Sequence, residues 1–178
     1  MDFRIGQKVS YPNHGVCSIE SIDGKQSSGG SVEFYSLRLL SNNSIIFVPR
    51  NNAQTIGIRP IINSAECFEV LIFLAEDFEE ISNDWKIRIR DFTALIQTGD
   101  IIKVSEALKK LTFLTTLKQL SFREQRLFEK TKFLVVSELA TVCAQPECEM
   151  EAKVDECLAA ACAKHKLENT QYLSTAAH

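Results

Sequence analysis

The stretch QTIGIRPIINSAECFEVLIFLAED, Gln54–Asp77, changes character part-way through. Its first half, QTIGIRPI, reads as the last short strand of a sheet. From about Asn63 the apolar residues Cys67, Phe68, Leu71 and Ile72 recur at helical spacing, and Ser64 stands where an N-cap is wanted. The chain is thereby divided into a β-module over residues 1–62 and a helical domain over residues 63–170, an α+β protein.

Upstream of that switch, QKVSY, GVCSIESI, VEFYSLRLL and SIIFVP are short runs rich in Val, Ile, Phe and Tyr. PNHG, DGKQSSGGS and SNNS separate them as turns, the first needing its glycine. In VEFYSLRLL, Val32, Phe34, Ser36 and Arg38 point one way, and Glu33, Tyr35, Leu37 and Leu39 the other. Apolar groups on both faces predict a small, bent antiparallel barrel of about five strands. Pro49 suits a strand end.

Downstream, a helix opens at Asp84 and runs to Thr98, with Gly99 placed for a left-handed C-cap. Asp100 caps the next helix, and Ser121 with Glu124 forms a capping box before the third. Pro146 starts a last helix ending near Asn169, and residues 171–178 read as a frayed tail.

The 178 residues carry a net charge of −3, which hides a pattern. Residues 61–84 hold seven acids and no Lys or Arg; residues 85–132 hold eleven bases and five acids. A basic centre between acidic flanks bears on partners, and is the footprint expected of a nucleic-acid contact or of a solvated helix face. No apolar run approaches the ~20 residues of a membrane span, and the start MDFRIGQKV lacks the layout of a signal peptide, so a cytoplasmic protein is expected.

The six cysteines do not fit a zinc pattern: Cys143 and Cys148, like Cys157 and Cys162, are five apart and fall on different helix faces. Free, mostly buried thiols are the expectation, with no metal and no other cofactor. His14 and Cys17 would diverge in a turn-then-strand, and no third group orients them. Phosphate loops, dinucleotide fingerprints and metalloprotease motifs are absent from the sequence, so an enzyme and a small-molecule substrate are not expected.

Trp85, the single tryptophan, opens the basic region in SNDWKIRIRDF. At roughly 100° per residue it shares a stripe with Ile89, Phe92 and Ile96, which argues for burial. It is also the first helical residue, where a side chain can overhang the bundle, and Lys86, Arg88 and Arg90 bracket it. Cations and a flat apolar group at a helix start suit phosphate contact and a minor-groove wedge. Both readings stand on the residues alone.

FRIGQKVSYPNHGVCSIESI, FVP and NNAQTIGIRP resemble the N-terminal module of CarD-type bacterial transcription regulators, a module shared with the polymerase-interacting domain of the transcription-repair coupling factor. DWKIRIRDFTALIQTGDIIKVSEALKKL and LSFREQRLFEKTKFLVVSELA resemble the helical domain of the same regulators. The resemblance implies a Tudor-like module that binds the RNA polymerase β subunit, and a helical domain that meets promoter DNA at the upstream edge of the melted bubble. There the residue matching Trp85 wedges into the minor groove and slows bubble closure, with Arg88, Arg90 and Lys86 on the backbone. Ile87 stands where a basic residue is common, and Phe47 where some relatives have arginine; Lys25 matches a basic polymerase contact. The expected function is therefore open-complex stabilisation with little sequence preference, in a cytoplasmic, nucleoid-associated protein. The competing readings are an adaptor on polymerase with no DNA wedge, and a Cys-dependent enzyme or metal protein.

Overall fold

The computed structural model describes the backbone of residues 2–27 and 30–175, and the side chains of residues 2–24 and 32–166. Strands β1 (Lys8–Tyr11), β2 (Gly15–Ser27), β3 (Gly30–Leu39), β4 (Ile45–Pro49) and β5 (Arg59–Pro60) form one antiparallel sheet. Their order is β4-β3-β2-β1-β5, so β4 and β5 are edges and the expected barrel does not close. Two features account for this. β5 is only two residues long and pairs with β1 alone, and its Pro60 has no N–H to extend a ladder. The register shift between Ile19 and Ser21 bends β2 without joining the edges.

One face of β3 supplies the core of the module, and on the other Ser36 is buried and Phe34 half-buried. Tyr35, Leu37 and Leu39 enter a core with Phe3, Val9, Cys17, Ile19, Val48 and Ile58, whereas Val32 on the other face is exposed. The Tyr35 hydroxyl accepts the Phe3 N–H at 3.2 Å, which satisfies a buried polar group.

Five helices follow: α1 (Ser64–Ala75), α2 (Trp85–Gln97), α3 (Ile101–Leu117), α4 (Phe122–Cys143) and α5 (Glu147–Thr175). The cap of α1 is Asn63, not Ser64: its side chain accepts from the Ala65 and Glu66 N–H groups, and Glu66 accepts from the Asn63 N–H. A capping box needs an acid three residues after the cap, and Glu66 lies three from Asn63. Asp84, Asp100 and Ser121 cap α2, α3 and α4 as their sequence positions suggest. α5 runs past Asn169 to Thr175, and residues 176–178 of the expected tail lie outside the described residues. Leu74, Phe92, Ile96, Leu108, Leu111, Val135, Leu139, Met150 and Val154 are among the side chains of the shared helical core.

Buried polar groups fasten this core. Lys109 is buried, and its ammonium donates to the Phe73, Glu76 and Asp77 carbonyls at 2.8, 3.4 and 3.3 Å. It thus ends α1 in place of a glycine cap, since cations suit helix C-termini. Burial holds its pKa below the ordinary lysine value.

The β-module and the helices are joined by fitted contacts. Arg59 donates from Nη1 and Nη2 to both carboxylate oxygens of buried Glu138 in α4 (2.6 and 2.9 Å), and from Nε to the Gly99 carbonyl (2.8 Å). Glu138 also accepts the Ile62 N–H at 3.2 Å. The YPNHG turn is the other half of the joint. A Cβ at Gly99, where φ is +68°, would come within 2.6 Å of Pro12, and one at Gly15, where φ is +88°, within 3.1 Å of the Phe133 ring. Backbone conformation therefore demands glycine at both positions, and close packing demands it again at Gly99.

Candidate polymerase and nucleic-acid interface

Trp85 is 53% exposed. Its stripe partners Phe92 and Ile96 are buried, so the stripe is real but its first member overhangs the end of the bundle. Asp84 fixes that start by accepting the Lys86 N–H at 2.8 Å. The Lys86 ammonium lies 5.8 Å from the indole centroid, within cation–π range. Arg90 is exposed and meets its neighbour Asp91 at 3.0 Å.

Arg88 does not join these solvent-facing cations. It is 6% exposed, and its Nε and Nη2 donate to Glu124 Oε1 at 3.1 and 2.8 Å, while Nη1 donates to the Ser82 and Asn83 carbonyls at 2.9 and 2.8 Å. Along its own helix Arg88 flanks the stripe, and α4 occupies that flank through Glu124. Its guanidinium is thus committed to the fold, where it holds the loop entering α2 and with it the position of Trp85.

Glu124 is the hub of this arrangement. It accepts from the Ser121 N–H and hydroxyl, from Arg88 and from the Lys118 ammonium. Burial, the largest single influence, pushes its pKa up. The Ser121 backbone N–H, Arg88, the Ser121 hydroxyl and Lys118 together outweigh burial and hold the carboxyl down at about 2.

The same end of the molecule carries groups that the sequence reading missed. Phe122, the first residue of α4, is 76% exposed, and Arg126 sits 5.8 Å from its ring centroid. Arg123 and Arg126 are exposed, and Lys130 follows one turn further on and is half-buried. Lys130 is held below the ordinary lysine value, first by burial and then by Arg126. The signal was present in SFREQRLFEK: a capping box sets Phe122 at the helix start, and bases recur at positions 123, 126 and 130.

In the β-module, Phe47 is 64% exposed on edge strand β4, with Ile45 exposed beside it and Val48 turned into the core. Phe47 pairs with Ser36 and Ile45 with Arg38, so two apolar side chains stand on the outer face of a strand whose far edge is unpaired among the described residues. Lys25 pairs with Val32 across β2 and β3; its side chain lies outside the described residues.

The His14–Cys17 pair does not converge. His14 is exposed and packs on the Tyr11 ring at 4.5 Å, while Cys17 is buried, its thiol turned to the Gly15 carbonyl and pushed up to about 11 by burial. All six cysteines are free; Cys17, Cys67 and Cys162 are buried, Cys143 and Cys157 are half-buried, and Cys148 is exposed. No group of three or more His, Cys, Asp or Glu among the described residues is arranged to hold a metal ion. No described helix is long and apolar enough to cross a membrane.

Two family models match the chain in succession: the CarD-like/TRCF RID domain over residues 3–62 and the CarD C-terminal domain over residues 69–155. A candidate transcription factor of Bacillus subtilis (strain 168), YdeB, is 24% identical over 140 residues, which is 79% of this chain and 92% of that protein. The solution NMR structure of the 72-residue N-terminal domain of Myxococcus xanthus CarD is 32% identical and covers 33% of this chain and 79% of that one, with a TM-score of 0.29. An RNA-polymerase-interacting module followed by this helical domain defines a class of transcription factor, and neither family is one of enzymes. The chain is a CarD-type protein.

Proposed function

We propose that this chain binds the RNA polymerase β subunit through its N-terminal module and stabilises the promoter open complex by setting Trp85 into the minor groove at the upstream edge of the bubble. The observation that carries the reading is the exposed indole, with the Lys86 ammonium near its ring and the start of its helix fixed by the buried Arg88–Glu124 pair. Melting is a population balance, and a ligand shifts it only by its preference for one state. A rigid ring that fits an unstacked step but not intact duplex supplies that preference, since unstacking costs a few kcal/mol per step.

On this reading Lys86 and Arg90 hold the phosphate backbone and Arg88 positions the wedge. Phe47 and Ile45 meet the β subunit through apolar contact, with Lys25 as a further, basic contact. The β-module then acts as the family's Tudor-like unit, opened along β4 and β5. Tethering to polymerase raises the local concentration of a weak DNA contact, so sequence preference is low and the salt dependence steep.

The test is open-complex lifetime on polymerase with the full chain and its Trp85→Ala variant. The expected result is a lifetime shortened several-fold while polymerase binding survives. An unchanged lifetime would remove the wedge and favour an adaptor acting by protein contact alone.

A further inference from the structure

The end of the bundle that presents Trp85 presents a second ring of the same construction. Phe122 is the first residue of α4 as Trp85 is of α2, and each has a cation 5.8 Å from its ring centroid. The Arg88–Glu124 pair ties together the first turns of these two helices, so the rings leave the bundle from neighbouring starts. Phe122 adds nothing to the cap, which Ser121 and Glu124 complete without it, and it belongs to neither core.

A single exposed phenylalanine is ordinary; its surroundings here are not. Arg123, Arg126 and Lys130 follow it on α4, and among the described residues none of the three has a carboxylate at salt-bridge distance. Of the two acids within that run, Glu124 is buried and paired with Arg88, and Glu129 accepts a hydrogen bond from Gln125 at 2.9 Å. Uncompensated cations around an apolar ring complement a polymer that alternates phosphates with flat apolar faces. Single-stranded nucleic acid is such a polymer, and aromatic stacking with cations on the backbone is the usual way proteins hold it.

We propose that Phe122 is a second nucleic-acid contact, its ring stacking on a base exposed beside the step that Trp85 opens while Arg123 and Arg126 meet the adjoining phosphates. This rests on the DNA reading of Trp85 and extends it from one ring to two. The consequence is a preference for separated strands greater than one wedge would confer.

The experiment measures binding of the full chain to a duplex with a short unpaired bubble and to its fully paired counterpart, by fluorescence anisotropy over a range of salt. Phe122→Ala is expected to weaken bubble binding by about tenfold with little effect on the paired duplex, the loss typical of one stacked base. Phe122→Trp should restore it. Arg126→Gln should instead lower the salt slope by roughly one phosphate's worth. Bubble affinity in Phe122→Ala equal to wild type, with Trp85→Ala impaired, would overturn the second contact and leave the wedge standing. No bubble preference in the wild-type chain would overturn both. A photo-reactive phenylalanine analogue at position 122 of the polymerase–promoter complex should crosslink to DNA; crosslinks to protein alone would also overturn the proposal.

Discussion

Trp85 and Arg88 are three residues apart on one helix, yet they have opposite fates. The indole, which could have been core, is held out; the guanidinium, which could have met phosphate, is held in. Removing one partner of a buried pair strands the other, so Arg88→Ala should destabilise the fold by about 3 kcal/mol in urea unfolding. Arg88→Ala should also shorten open-complex lifetime, although Arg88 is itself buried. Glu124 sets an acid limit as well. Its carboxyl titrates at about 2 in the fold and near the ordinary carboxylate value when unfolded, so the stability it confers is complete above the unfolded value and is lost as pH falls through about 2. Thermal melts between pH 5 and pH 2 should therefore fall more steeply for the wild type than for Glu124→Gln.

At the scale of elements, α4 is the strut of the molecule. Its first turn holds Glu124 and hence the entry to α2, its last third holds Glu138 and hence β5, and at its C-terminal end the Cys143 sulfur lies 2.9 Å from that of Cys67 in α1. Edge strand β4 is the complementary feature, since it is braced on one side only and keeps Phe47 and Ile45 outside. Phe47→Asp puts a charge in that apolar patch without touching the core. It should leave the melting temperature nearly unchanged and reduce retention of the full chain on the isolated β subunit by tenfold or more, read in a pull-down.

For the whole molecule, what counts is whether the two parts move as one. Arg59 bridges β5 to Glu138 and to the Gly99 carbonyl, and the YPNHG turn packs Pro12 against Gly99 and sets Gly15 beneath Phe133. The proposed polymerase contact at β4 and the proposed DNA contact at α2 are thus held at a fixed separation, and on that proposal the effective concentration of the indole is high only while the joint is stiff. Arg59→Ala leaves the carboxylate of Glu138 buried with the Ile62 N–H as its remaining described partner. The expected cost is about 3 kcal/mol, or roughly ten degrees in melting temperature for a chain of this size. Open-complex lifetime should fall with it even though both contact surfaces are intact.

Local physics is what the sequence by itself determined. The period change after Ile61, the caps Asp84, Asp100 and Ser121, the glycine after α2 and the basic run from residue 85 all follow from interactions within a few residues, so they could be read directly. The family, too, was legible in YPNHG and in the DWKIRIRDF helix start, which lie within the stretches the two family models match. Tertiary structure alone decided which cation faces water, whether the stripe covers its first member, whether the sheet closes, and that no neighbour covers Phe122. Each depends on a partner distant in sequence: Glu124 for Arg88, Glu138 for Arg59, Pro12 for Gly99. Burial is a property of two surfaces, and a helix read singly contains only one of them.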